Sequence, residues 1–332
     1  MTRVGVVGTT SWGTTLALLL AGSGNEVSLW ARTDDEAARL QADRENRRFV
    51  PGHPFPDNLS VTSSPDTALG DSDLIVVAVP SRALRDNIRI LRESINVSAV
   101  VVSATKGLEA DTSKRMSEVL SEELPESLHQ AIGVLSGPNL AAEILEGKPT
   151  STVVASKYAE TAIRAQEAIN SPLFRVYTND DVTGVELGGA LKNIIALGAG
   201  ICDGLGYGDN AKAAIITRGL AEIARLGVAC GAKQQTFAGL AGMGDLIATC
   251  SSPLSRNHQV GERLAKGEPL SQIRASMDNV AEGIDTTAAA QKLANKLGVE
   301  MPITNAMHSV LFDGVPMEQA RSDLLERAPG TE

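Results

Sequence analysis

The sequence predicts an α/β domain built on a parallel sheet, followed by an all-α domain. Up to about Val182, short β-branched runs alternate with segments of helical spacing, the pattern of a sheet with helices on both faces. Beyond that point Ala, Leu, Gly and other helix formers dominate, and strand signals stop. A glycine-containing turn directly after the first strand makes the first domain Rossmann-type, a dinucleotide-binding architecture. The expected division is 1–183 and 184–332, because a chain of 332 residues is too long for one small core.

Strands are expected over 3–7, 26–31, 74–79, 99–103 and 131–135, with helices over 12–21, 81–95 and 113–123 between them. Two further β-like runs, 152–155 and 174–177, flank a helical pattern and extend the sheet. In the second half the expected helices are 184–203, 210–227, 254–266, 286–297 and 302–311. Turn-rich connections such as 204–208 join them, and the sequence has no internal repeat.

The composition, 43% apolar and 21% charged, is that of an ordinary globular protein. A net charge of -10 argues against nucleic acid or anionic lipid as a partner, since phosphates are neutralised by clustered Lys and Arg. Any anionic substrate must be held by a few local cations. Cys202, Cys230 and Cys250 are far apart, odd in number and without metal-ligand spacing, which fits reduced thiols in a cytoplasmic protein. No apolar run approaches the roughly 18 residues of a membrane span, so no stable membrane association is expected. The apolar stretch 16–21 follows a strand-like run and several glycines, and belongs to a helix of the folded domain rather than to a signal peptide.

Gly8-Thr9-Thr10-Ser11-Trp12-Gly13 stands where a dinucleotide fingerprint belongs, after a strand and opening a helix. Gly8 and Gly13 fill its first and third glycine places. Thr10 fills the second, where a Cβ pushes the phosphates outward unless the turn shifts. Taken alone, the motif fits a nucleotide site and a mere tight strand-helix turn equally well. The second strand ends in Leu29-Trp30-Ala31-Arg32, without the Asp or Glu that binds an adenosine ribose 2′-hydroxyl. Arg32 stands where a cation accepts a 2′-phosphate, or is simply a solvated Arg. Together these features favour NADP (NADPH), or dual use with NAD, over strict NAD.

Breaks after apolar strands at Gly8, Pro80-Ser81, Thr105-Lys106-Gly107 and Ser136-Gly137-Pro138-Asn139 fall on the carboxyl edge of a parallel sheet, where ligands bind. Lys106 is the one charge among them. In the helix over 184–203, Lys192 shares its face with Gly188, Gly189, Ala196, Ala199 and Gly200. That stripe admits a ligand or another backbone, and the alternative is close helix packing with Lys192 snorkelling outward. A buried Lys there can serve as a general acid or base. Asp245, after Gly242-Met243-Gly244, either caps a helix or orients a catalytic group. Ser255-Arg256-Asn257-His258, just inside a helix start, is a candidate phosphate site.

In order along the chain, Ser11-Trp12-Gly13, Ala104-Thr105-Lys106-Gly107-Leu108-Glu109, Ser136-Gly137-Pro138, Gly188-Gly189-Ala190-Leu191-Lys192-Asn193, Gly242-Met243-Gly244-Asp245 and Ser255-Arg256-Asn257 resemble the bacterial NAD(P)-dependent glycerol-3-phosphate dehydrogenase family. The resemblance runs from Val4 to about Leu311. It implies that Gly8, Ser11, Trp12, Gly13, Arg32, Thr33 and Ala141 contact the cofactor, and that Lys106 and Gly137 lie where cofactor and substrate meet. It implies Lys192 as catalytic acid/base and Asn139, Asp245, Ser255, Arg256 and Asn257 around the substrate, with Arg256 reaching the cofactor too. Val280 and Glu282 match a family segment that closes over the nicotinamide nucleotide. Two positions depart from the family pattern: Thr10 replaces the second glycine, and Asn139 stands where Ser or Thr is more usual.

The implied reaction is reversible hydride transfer between NAD(P)H and dihydroxyacetone phosphate, giving sn-glycerol 3-phosphate for glycerophospholipids, in a cytoplasmic homodimer. A β-hydroxyacid or 6-phosphogluconate type dehydrogenase is the nearest enzymatic rival, but it does not need the 255–257 phosphate clamp. A nucleotide-sensing protein is the rival of another class, and it has no use for a proton donor.

Overall fold

The computed structural model describes residues 2–277 and 281–326. Among them, eight strands form one sheet: β1 (Arg3–Val7), β2 (Glu26–Trp30), β3 (Leu59–Thr62), β4 (Leu74–Val77), β5 (Val100–Ser103), β6 (Ile132–Ser136), β7 (Thr150–Ala155) and β8 (Phe174–Asn179), in the order β3-β2-β1-β4-β5-β6-β7-β8. From β3 to β6 all neighbours are parallel, with Val6 of β1 opposite Leu29 on one side and Val76 on the other. Successive β1 and β4 residues feed opposite faces. Val4, Val6, Leu74 and Val76 pack with Leu16 and Leu20, whereas Val7, Ile75 and Val77 pack with Leu84, Ile88 and Leu120. Burial on both faces is why these strands read as unbroken apolar runs.

The helices around this sheet are α1 (Ser11–Gly22), α2 (Asp34–Asp43), α3 (Pro65–Leu69), α4 (Leu84–Leu91), α5 (Met116–Glu123), α6 (Ala141–Leu145) and α7 (Ala159–Ile169). The helix expected over 81–95 is broken into a 3₁₀ turn at Ser81–Ala83, α4, and a second 3₁₀ turn at Arg92–Ser94. The sheet also departs from the wholly parallel expectation: β7 runs antiparallel to β6, and β8 parallel to β7. Only the short α6 lies between β6 and β7.

From Val182 onward the regular elements among the described residues are helical: α8 (Val182–Gly204), α9 (Gly208–Ala229), a π-helical turn at Leu240–Gly244, α10 (Asp245–Ser251), α11 (Arg256–Ala265), α12 (Leu270–Ala275), α13 (Glu282–Leu297), α14 (Pro302–Phe312) and α15 (Met317–Leu325). The carboxylate of Asp181 starts α8 by accepting from Gly184 N at 2.9 Å. Leu191, Ile194 and Ile195 of α8 then pack with Ile223 and Leu226 of α9, Leu246 of α10, Val260 of α11 and Ile284 of α13. Contrary to the expectation from apolar runs, α8 is long and apolar enough to cross a membrane, yet 89% of its most apolar window is buried inside the protein. It is the core helix of the second half.

One buried contact fixes α8 against the sheet half. Glu186 accepts from Ser117 N at 2.7 Å and from Arg115 Nη1 at 2.7 Å, both beside the start of α5. The carboxyl edges of β4, β5 and β6 face the helices that carry Lys192, Asp245 and Glu282: Ser81 meets Glu282, Lys106 meets Asp245, and Ser136 lies against Gly189 of α8.

Candidate active site

At the nucleotide end, Gly8 adopts φ +115°, and a Cβ there would lie 2.8 Å from Ala78 O. A Cβ at Gly13 would meet Gly8 O at 2.0 Å, so helix and strand pack as the fingerprint requires. Thr10 does not disrupt this turn. With φ −67° and ψ 172° it is the N-cap of α1, its hydroxyl accepting from Gly13 N at 3.4 Å and donating to Ala78 O at 3.1 Å. Ser11 and Trp12 open the helix, and the Trp12 indole reaches across to Ala104 O at 3.1 Å. Arg32 is exposed beyond β2, and Thr33 caps α2 through Glu36 N. Ala141 begins α6.

The carboxyl edge carries the charged group that matters. Lys106 extends from the loop after β5 and donates to Gly137 O at 2.9 Å and to Asp245 Oδ2 at 2.7 Å. The other oxygen of Asp245, Oδ1, accepts from Lys192 Nζ. Lys192 also donates to Thr249 Oγ1 at 2.6 Å. Asp245 is only 1% exposed and Lys192 only 6%, which excludes a snorkelling lysine. Nor does Asp245 cap a helix. It is the first residue of α10, and its carboxylate bridges two ammonium groups from segments far apart in the chain.

Burial drives the Lys192 pKa from its ordinary value near 10.5 down to about 7, with Asp245 opposing and Lys106 reinforcing the fall. The charge count explains this. Two ammoniums and one carboxylate leave an uncompensated buried positive charge, whereas losing one proton leaves a neutral Lys106–Asp245 pair.

The small residues beside Lys192 serve packing. A Cβ at Gly188 would lie 2.6 Å from Ala241 O, one at Gly189 2.2 Å from Ser136 Oγ, and one at Gly200 2.0 Å from His258 O. Backbone and side chains of the protein, not open space, fill that stripe. The close approach brings the start of α11 and the turn before α10 to the lysine's helix.

On α11, Ser255 is the N-cap, accepting from His258 N, and Arg256 at the first helical position is exposed. Asn257 is buried and its side chain is engaged: Nδ2 donates to Asn193 Oδ1 and Oδ1 accepts from Gly283 N, both at 2.9 Å. It therefore sews α11 to α8 and α13. Asn139 is likewise held, accepting from Thr152 Oγ1 at 2.9 Å. Glu282 at the start of α13 reaches back to Ser81 after β4, accepting from Ser81 Oγ at 2.5 Å and Ser81 N at 3.3 Å. Val280 lies outside the described residues.

The structure thus brings Lys106, Gly137, Lys192 and Asp245 into direct contact, and leaves Arg32 and Thr33 at the far end of β2. Two participants escaped the sequence reading. Thr249 is four residues after Asp245, hence on the same helix face, a spacing that would have found it. Ser81 was visible only as a loop position until Glu282 met it. A separate cavity of about 590 Å³ is lined by Gly239, Leu240, Ala241 and residues of β7 and β8, but by none of the Lys192 cluster.

The model for the C-terminus of NAD-dependent glycerol-3-phosphate dehydrogenase matches residues 181–322, and that for the N-terminus matches residues 3–162. The chain belongs to the NAD-dependent glycerol-3-phosphate dehydrogenase family. A glycerol-3-phosphate dehydrogenase (NAD(P)+) of Dehalococcoides mccartyi is 52% identical over 330 residues, covering 99% of this chain and 92% of that protein. One from Chlorobium phaeobacteroides is 48% identical, with 99% of each covered. The crystal structure of glycerol-3-phosphate dehydrogenase from Coxiella burnetii superposes with a TM-score of 0.92 at 38% identity, over 98% of this chain and 99% of that one. As a member of this family the chain is an NAD(P)-dependent dehydrogenase with the Rossmann-type and helical halves that the sequence predicts.

Proposed function

We propose that this family member interconverts dihydroxyacetone phosphate and sn-glycerol 3-phosphate with Lys192 as the group that gives and takes the proton on the substrate oxygen. The observation that carries this is the Lys106–Asp245–Lys192 bridge, a buried charge cluster at the sheet edge where ligands of this fold bind. The residues at the nucleotide end fit a dinucleotide. The Gly8 turn is closed to any Cβ, and the first-turn N–H groups of α1, which have no partner within a helix, suit a pyrophosphate. Arg32 takes a 2′-phosphate, and Ser11, Trp12, Ala141, Val280, Glu282 and Arg256 take the rest of the coenzyme. When bound, the nicotinamide supplies the hydride to the ketone carbon, or accepts it in the reverse direction.

The protein's part is proton movement and positioning. As hydride adds at the carbonyl carbon, the π electron pair moves to oxygen, and the Lys192 ammonium gives that oxygen its proton. Neutral Lys192 takes the hydroxyl proton in reverse. Asp245 holds Lys192 and Lys106 in place, Lys106 and Gly137 face both ligands, and Arg256 with the α11 N-terminus binds the phosphate. Asn257 acts there chiefly by fixing α11, since its side chain is engaged with Asn193 and Gly283. In this reading the two halves divide at 183/184, and a cytoplasmic homodimer without nucleic-acid or stable membrane contacts supplies the backbone of glycerophospholipids. The net charge of -10 supports the lack of polyanionic partners.

The test is coenzyme oxidation with dihydroxyacetone phosphate, with unphosphorylated dihydroxyacetone as control. Fast oxidation of NADPH or NADH with the phosphate ester alone is expected. Equal rates with both ketones would sink the substrate assignment.

A further inference from the structure

Thr33-Asp34-Asp35-Glu36 has the sequence of a capping box, in which Glu36 would turn back to the Thr33 backbone N–H. Only half of the box forms: Thr33 Oγ1 accepts from Glu36 N, but the Glu36 carboxylate leaves its own helix. Its Oε1 instead accepts from Thr9 Oγ1 at 2.8 Å, in the glycine turn after β1. The turn does not need this contact for support. Asn46, 1% exposed, already pins it by donating from Nδ2 to Thr9 O and to Thr14 Oγ1, both at 2.8 Å.

In this fold the adenosine ribose lies between the first strand-helix turn and the end of the second strand. A carboxylate from just beyond β2 that bridges to Thr9 stands at that place. The strand end lacks an acidic residue, and Glu36 supplies one from the first turn of the next helix. Arg32, exposed and with no partner among the described residues, is the nearby cation in sequence.

We propose that Glu36 reads the adenosine ribose, its carboxylate accepting from the 2′-hydroxyl of NADH and opposing the 2′-phosphate of NADPH, so that Glu36 and Arg32 together set the coenzyme preference. Use of either coenzyme by this chain then has a structural basis in two groups of opposite charge, each suited to one coenzyme. The role of Glu36 rests on the proposed coenzyme placement but not on the Arg32 assignment.

The test is calorimetric measurement of Kd for NADH and NADPH with wild type, Glu36→Gln, Thr9→Val and Arg32→Ala. Glu36→Gln keeps the shape and removes the charge. It should tighten NADPH and weaken NADH, moving the ratio of the two Kd values towards NADPH by roughly tenfold, about the contribution of one charged hydrogen bond. A shift of fivefold or more in that direction supports the proposal, and any smaller or opposite shift overturns it. Thr9→Val cuts the tether but leaves the Glu36 carboxylate in place to meet the 2′ position, and should leave the ratio within about twofold of wild type. If Thr9→Val moves the ratio as far as Glu36→Gln, the turn and not the carboxylate selects the coenzyme, and the proposal fails. Arg32→Ala separates the two assignments. Should it leave NADPH binding unchanged while Glu36→Gln shifts the ratio, the 2′-phosphate role of Arg32 is wrong and that of Glu36 stands.

Discussion

The two ends of the site are built by opposite means. The nucleotide end is local: Gly8, Thr10, Ser11, Trp12 and Gly13 lie on one turn and the start of one helix, and nearly every contact there is a neutral hydrogen bond. The chemical end is assembled from the loop after β5, the middle of α8 and the start of α10, and its contacts are ion pairs in a buried place. A local turn tolerates substitution as long as its backbone keeps its shape. A buried cluster of three charges does not, because removing one member changes the electrostatic balance of the other two.

That contrast is sharpest at Lys192. Lys192→Ala should lower kcat by roughly 10²–10⁴, the range for loss of a general acid/base, with NADPH Kd close to wild type in a binding titration. Lys192→Arg should fail as well, since a guanidinium hardly gives up its proton near neutral pH. Near-normal turnover by either variant would move the proton to Lys106.

A smaller loss is expected at the rim. Arg256→Ala should cut kcat/KM for dihydroxyacetone phosphate by roughly 10²-fold, the scale of removing a charge-assisted hydrogen bond from a closed site, while unphosphorylated dihydroxyacetone barely changes. Parallel losses on both ketones in steady-state kinetics would remove Arg256 from the substrate phosphate and leave it its coenzyme contact or a role in the fold.

The smallest effect is predicted at the nucleotide turn. Thr10→Gly restores the standard fingerprint but removes the hydroxyl that caps α1 and ties it to Ala78. It should cost about 0.5–1 kcal/mol in denaturant unfolding, between the few tenths of a Gly cap replacement and the loss of a side-chain hydrogen bond. Coenzyme Kd should not improve. Severalfold tighter binding would mean that Thr10 crowds the pyrophosphate after all.

The same contrast governs what was legible in the sequence. β1, β4 and β5 announce themselves because burial on both faces makes them continuous Val-rich runs. Leu59–Thr62 escaped because an edge strand of four residues, two of them Ser and Thr, has no such run. The polar α2 offers little apolar periodicity, with Ala37 and Leu40 its buried residues. At the site, Gly8 and Gly13 were readable from one segment. Asp245 was readable only as an alternative, since next to Gly244 a carboxylate fits a cap as well as an orienting group, and only tertiary structure sets it between Lys106 and Lys192. Glu36 was hidden for the same reason, its capping-box sequence masking a contact to Thr9.

At the chemical end, burial tunes Lys192 to exchange a proton near neutrality. Its folded pKa is lowered to about 7, so the ammonium predominates below that pH and the amine above it. Reduction of the ketone needs the ammonium and oxidation of the alcohol needs the amine. The direct measurement is kcat/KM against pH in both directions, which reports groups of the free enzyme and substrate. The reduction profile should be level below about 7 and fall as pH rises through it, and the oxidation profile should do the reverse. Titration of the substrate phosphate, with its second pKa at about 6, bends both profiles the same way and cannot produce this opposition. A reduction limb that stays level up to the ordinary lysine range would contradict the account.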